Sequence, residues 1–220
     1  RQGLHRRRRP GARRRVTAPS FVRALDLNAT TRDLLAPVCR VCTWWQADLP
    51  TEPGVDLRAH WERAIEREAG LFGRALLDGE AVIGSMHAAP AALVPRARRL
   101  PAGPPSADSW LLTCAYFHDE EYLGGFQRLL LELEAALKHR RVDALEAFAL
   151  RRARPGGPLR GYLREQNLFH PEVLEGTGFR WVCVSGDVAR YRLDLATVVA
   201  VPRRGRVLES VEPGTAAQPV

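Results

Sequence analysis

Between residues 110 and 150 the hydrophobic pattern changes period twice. Residues 110–117, WLLTCAYF, form a short apolar, β-prone run of the length expected for a buried strand. Leu129, Leu130, Leu133, Ala136 and Leu137 then recur at helical spacing, and the apolar run ending at Leu150 reads as a second strand. Asp119, Glu120 and Glu121 precede the helical stretch, where the positive end of a helix dipole favours acid; Arg140 and Arg141 stand at the end that favours base. Gly124 and Gly125 let the chain turn tightly into the helix and bring main-chain N–H groups close to whatever sits at its start. The pattern predicts a strand–glycine turn–helix–strand crossover with an anion site at its first loop.

The flanking periodicities predict the rest of the fold. Residues 21–27 alternate as a first strand, and Asn28 or Thr30 caps a short helix running to about Pro37. Asp56 caps a helix over residues 57–69 whose apolar stripe is Leu57, Trp61, Ala64, Ile65 and Glu68. Two strands flank Asp78-Gly79, a two-residue hairpin signal. Residues 89–109, rich in Pro and Ala, read as a long surface connection, and 151–170 as a basic, glycine-containing loose segment. A short helix from Pro171, ended by Gly178, leads to a closing hairpin through Gly186 and Asp187. The order predicts an α/β fold: a mixed sheet covered by helices on both sides. Residues 1–19 are expected as a basic disordered arm, 20–197 as one domain and 198–220 as a flexible tail.

Charge changes this picture in one place. The net charge of +8 comes from residues 1–15, which hold eight arginines and no acid. Without those eight, the 33 basic residues fall to 25 and balance the 25 acidic ones, so the body is neutral. An arm of this kind is solvated or docks on nucleic acid or an acidic partner; no aromatic residue interleaves it for base stacking. No run of about 18 apolar residues occurs, so no membrane span is expected, and the cytoplasm is the expected compartment. Four cysteines in a chain of 220 residues make no disulfide framework. Cys39 and Cys42 form a lone CxxC, read as two structural thiols in a loop rather than a metal or redox site. The adjacent Trp44 and Trp45 read as the anchor of a core edge.

The crossover unit resembles the acetyl-CoA loop of the GNAT superfamily of N-acetyltransferases, and the resemblance covers residues 21–195. The family's R/Q-x-x-G-x-G/A loop falls on Tyr122, Leu123, Gly124, Gly125, Phe126 and Gln127, with Gly125 at the central glycine; Tyr122 and Gln127 depart from the pattern. Asn167 and Gly178-Phe179 stand at the spacing of its N…GF signature. The combination CRxC…W, ADxxLLT, LEAF and RYRLDL is similar to a bacterial acetyltransferase-like subgroup. The resemblance implies a GNAT-like fold with a central, mostly antiparallel sheet. It also implies acetyl-CoA as co-substrate, with Tyr122 to Gln127 and Asn167 at the cofactor, and a small-molecule or protein amine as acceptor.

Amine acylation needs a base and often an acid for the leaving thiolate. The family's tyrosine four residues before the GF glycine is Leu174 here, and the strand over 110–117 carries no carboxylate. The substitutes are Glu120, Glu121 and Tyr162 as catalytic candidates, beside His118 and His170. Tyr116 alternates with Cys114 and reads as a residue lining the core. Proximity alone also acylates a deprotonated amine. The alternative is a catalytically silent protein of the same fold that binds a partner or nucleic acid through its arginine-rich arm. A homodimer is a further candidate assembly.

Overall fold

A computed structural model of the chain describes residues 22–47, 55–118, 123–151 and 168–197. Its strands are β1 (Val22–Leu27), β2 (Gly73–Asp78), β3 (Ala81–Pro90), β4 (Ser109–Phe117), β5 (Ala144–Leu150), β6 (Arg180–Ser185) and β7 (Val188–Asp194). The α-helices are α1 (Pro37–Val41), α2 (Val55–Ala69), α3 (Leu123–His139) and a short α4 (Pro171–Glu175). Among the described residues the strands form one sheet in the order β1-β2-β3-β4-β5-β7-β6. Every neighbouring pair is antiparallel except β4 and β5, which run parallel. A parallel pair needs a crossover, and α3 supplies it. The expected α/β class, a mostly antiparallel mixed sheet between helices, is therefore the observed one.

The two faces are assigned by cross-strand partners, which point the same way. His87 and Cys114 are partners, and Arg58 of α2 reaches His87. Arg74 and Met86 share the opposite face, where the Arg74 guanidinium donates to the Glu132 carbonyl of α3 at 3.3 Å. The sheet thus separates α2 from α3. Its core is fully closed around Trp45, Phe72, Phe126, Phe148 and Phe169. Each such ring contributes about 1.5–3 kcal/mol of transfer free energy.

Four details differ from the sequence reading. The turn between β2 and β3 sits at Gly79-Glu80, because Asp78 and Ala81 still pair; Gly79 takes φ 60°, which explains the glycine. The first helix is replaced by a 3-10 turn, Arg32–Leu34, and by α1, which begins at Pro37; the Asn28 side chain instead caps its own turn by accepting from the N–H of Thr30 and Thr31. Cys39 accordingly lies within α1 with Cys42 at its C-cap, so the pair is not in a loop. Residues 89–109 are not a surface connection. β3 extends to Pro90, two 3-10 helices follow (Ala91–Leu93 and Pro95–Arg99), and Val94, Ala97 and Ala102 are buried. Alanine and proline there were small enough to pack rather than polar enough to be solvated.

The stripe on α2 is also turned. Leu57 is exposed, whereas Arg58 and Glu62 are buried beside Trp61 and Ile65. The reason is a buried polar cluster on the sheet face that α2 covers, centred on His87.

Candidate functional site

β4 and β5 pair at three positions only, Ser109↔Ala144, Trp110↔Leu145 and Leu111↔Glu146. Beyond Leu111 the two strands have no registered partner in each other, so the sheet splits toward their C-terminal ends. A bulge stands where the split begins. Leu112 and Cys114 oppose the consecutive residues Ala88 and His87, which leaves Thr113 as the extra residue of β4. Its hydroxyl donates to the His87 carbonyl at 3.1 Å, which stabilises the irregular backbone.

The paired end of the split is locked by charge. Glu146, fully buried on β5, accepts from Arg190 at 2.6 Å, from Arg192 at 3.4 Å and from the Ser106 N–H at 3.3 Å. Arg192 faces Glu146 across the β5–β7 ladder and also meets Asp194 and Asp108. Two guanidinium groups and a main-chain donor satisfy a carboxylate that would otherwise be very costly inside the sheet.

The open end is lined by rings. Phe117 at the end of β4 lies 6.4 Å from Phe126 in the first turn of α3, and Phe126 lies 6.0 Å from Phe169. Phe169 is seated along the β5 backbone: its N–H donates to the Phe148 carbonyl and its carbonyl accepts from Leu150 N–H, both at 2.9 Å. It forms a parallel bridge with Ala149. Above this row α3 begins at Leu123. The first N–H groups of a helix have no intrahelical acceptor and carry the positive end of its dipole. Gly124 is exposed, and a Cβ added to it would meet nothing within 4 Å. The opening turn therefore leaves room for a group to approach its amides. Gly125 and Phe126 are buried and Gln127 is exposed, so the loop's outward surface is Gly124 and Gln127. A helix N-terminus at the mouth of a split sheet fits a phosphate-bearing ligand with a slim chain.

Behind β4, on the α2 face, stands a buried polar cluster that the sequence reading did not find. Arg58 donates to Glu62 at 2.6 Å and to Nδ1 of His87 at 2.8 Å; Arg32 donates to the other Glu62 oxygen at 2.5 Å. The Gln46 amide, oriented to accept from Arg58 at 3.0 Å, donates to the carbonyls of Cys42 and Thr43. The Cys114 thiol lies 3.2 Å from Nδ1 of the same histidine. A guanidinium only donates, so Nδ1 is the acceptor and Nε2 carries the ring proton. Burial, with Arg58 beside it, holds His87 well below the usual imidazole range. It is a neutral ring whose Nε2 meets no hydrogen-bond partner among the described residues. Burial likewise pushes the Cys114 thiol up, and the Cys39 thiol up to about 12. These are inert sulfhydryls rather than nucleophiles. Among the described residues no group of three His, Cys, Asp or Glu side chains is placed to hold a metal.

Of the sequence candidates, Leu123, Gly124, Gly125, Phe126 and Gln127 fall in the first turn of α3. Glu120, Glu121, Tyr122, Tyr162 and Asn167 lie outside the described residues. His118 is exposed just past β4, its ring edge-on to Tyr116 at 5.3 Å; Tyr116 itself is half-buried. His170 caps α4, accepting from the Glu172 N–H at 3.4 Å, and Leu174 is buried in the core. The Arg58–Glu62 pair had one legible signal, its i,i+4 spacing with basic and acidic partners on α2, but on a helix that spacing usually marks a solvated face. No described helix is long and apolar enough to cross a membrane.

The class this topology defines is a helix-flanked mixed sheet split between two parallel strands, with a helix N-terminus at the split. No family model matches the chain, and no curated protein matches it. Solved structures similar to it include a putative acetyltransferase, yncA, from Salmonella typhimurium with acetyl-CoA, at 12% identity and TM-score 0.49, spanning 81% of this chain and 96% of that one. The PaiA N-acetyltransferase from Thermoplasma acidophilum in complex with coenzyme A is similar at 14% identity and TM-score 0.45, over 79% and 99%. The GNAT domain of S. lividans PAT stands at 15% identity and TM-score 0.47, over 79% and 90%. At these values no residue role is carried across, and the site rests on its own geometry.

Proposed function

We propose that this chain is an acetyl-CoA-dependent N-acetyltransferase that acylates an amine acceptor. The observation that carries the reading is the parting of β4 from β5 after three paired residues, at the end of β4 where Phe117 meets Phe126 of the opening turn of α3. The main-chain N–H groups of residues 123–126 would hold the pyrophosphate, with Gly124 leaving the approach open. A main-chain cradle does not require the arginine or glutamine that Tyr122 replaces. The pantetheine chain would lie in the split, against β4 and the Phe117–Phe126–Phe169 row. Bound acetyl-CoA supplies the thioester carbonyl that an amine attacks. The chain's own part is to hold donor and acceptor together and to take the ammonium proton. His118 is the described proton-accepting side chain at that end of β4, and Glu120, Glu121 and Tyr162 are proposed to share the role.

Titration calorimetry with acetyl-CoA tests this reading. Wild-type protein binds; Gly124→Leu binds at least about tenfold more weakly, a loss of about 1.4 kcal/mol. Its fold stability is not lowered, because the added Cβ meets open space and leucine is the better helix former by about 0.5–1 kcal/mol. Absence of binding to the wild type sinks the proposal, and equal binding by the variant moves the phosphate elsewhere.

A second reading is favoured by the aromatic row at the open end and by a β4 without carboxylates. On that reading the protein is catalytically silent and binds nucleic acid or an acidic partner through residues 1–15. It expects no acetyl-CoA binding together with salt-dependent association that deletion of those residues removes.

A further inference from the structure

Among the described residues the sheet ends on β6, which pairs with β7 alone. Its large apolar side chains face outward: Trp181 is 67% exposed, Val182 45% and Val184 43%. Exposed edge strands are ordinarily protected by lysine, proline or a covering element, since their outer N–H and C=O groups are a template for another strand. β6 carries neither lysine nor proline. Trp181 and Val184 lie on one face, because their partners on β7 are Tyr191 and Ala189, two residues apart. A bulge at Val182, between the Trp181 and Cys183 partners, brings that residue out as well.

The charges at the two ends of this strip are opposite. Arg180 opens the strand, and Asp187 follows its end in the turn with Gly186; both are exposed. We propose that β6 is a homodimer interface in which it pairs antiparallel with β6 of a second copy about a two-fold axis. That arrangement brings Arg180 of each protomer to the Asp187 end of the other and leaves the apolar residues between them. Parallel pairing would set like charges side by side, so the charge pattern selects the antiparallel form. Trp181 becomes a direct or diagonal neighbour of the partner subunit's Val184, an aromatic–β-branched pair of the kind that stabilises antiparallel ladders. The sheet then runs through both protomers, and two edges that would aggregate separately cover each other.

Sedimentation velocity on the full chain tests this. Wild type sediments as a dimer that dissociates on dilution. Trp181→Glu and Arg180→Asp sediment as monomers with unchanged far-UV circular dichroism, since both side chains are exposed in the protomer, and their melting temperature matches that of wild type diluted to monomer. The double exchange Arg180→Asp with Asp187→Arg restores the dimer, a rescue that a merely structural effect of Arg180 would not give. A monomeric wild type overturns the proposal, whether the strip is bare or covered by another part of the chain. A dimer that survives Trp181→Glu places the interface elsewhere and overturns it equally. A double exchange that fails to rescue overturns the antiparallel pairing.

Discussion

Glu134 is a carboxyl buried in the inner face of α3, and burial pushes it up to about 7 from an ordinary carboxylate value. The folded state therefore holds its proton more tightly than the unfolded chain does. That contribution is fully present below the unfolded value, near 4.3, and is lost as pH rises through about 7. Its full size is about 3 kcal/mol. Glu134→Gln removes the titration, and at pH 8 it should be more stable than wild type by about 1–3 kcal/mol, with the two converging near pH 5; urea titrations at both pH values measure it. The cluster behind β4 gives a prediction of opposite sign. Arg58→Leu leaves Glu62 without its i,i+4 guanidinium partner and Nδ1 of His87 without its guanidinium donor, in a site where Arg58 and Glu62 are 2% and 3% exposed. Removing one member of such a buried pair costs about 3–5 kcal/mol, measured as a lower denaturation midpoint. Neither residue's environment could be read from its neighbours in sequence. Arg58 and Glu62 look like any solvated helix pair, and only their packing against β3 makes them a core feature.

At the scale of elements, the strands and helices that follow a clear hydrophobic period appear where the period places them. β4, α3, β5 and the β6–β7 hairpin are of this kind. The segment over 89–109 departs from its sequence pattern because low polarity and many prolines fit a loop as well as a packed, turn-rich wall. Gly84 shows how tightly the open end of the split is built. A Cβ on Gly84 would lie 2.3 Å from the Phe117 ring and 3.0 Å from the Tyr116 carbonyl. Gly84→Ala must displace the Phe117 ring, and overpacking of this kind costs about 1–3 kcal/mol. Thermal unfolding should show that loss, and acetyl-CoA affinity should change with it because the displaced ring lines the proposed binding wall. A neutral effect on both would mean that the row does not face the ligand. The α3 turn teaches the complementary lesson. Gly124 is a glycine with space around it, so packing in the described fold does not demand glycine there.

For the whole molecule, the proposed ligand joins elements that otherwise meet little. The split separates β1–β4 from β5–β7, with α3 lying at its mouth. A ligand bound across that gap at about a hundredfold excess over Kd adds about 2.7 kcal/mol to the folded state. For a chain of this size the gain corresponds to a rise in Tm of about 5–10 °C. Thermal melts with and without acetyl-CoA check it, and no shift at saturating ligand would speak for the catalytically silent reading. The sequence by itself determined the α/β class, the crossover through α3 and the position of the glycine turn, because these follow from local period and from backbone freedom at particular residues. Only the tertiary structure decided that β4 and β5 part after Leu111, that Phe169 lies along β5, and that Arg58, His87 and Cys114 converge behind β4. Those facts depend on residues far apart in the chain, brought together by pairing and burial that no local pattern encodes. The crossover was legible as a unit; the split it serves was a property of the sheet.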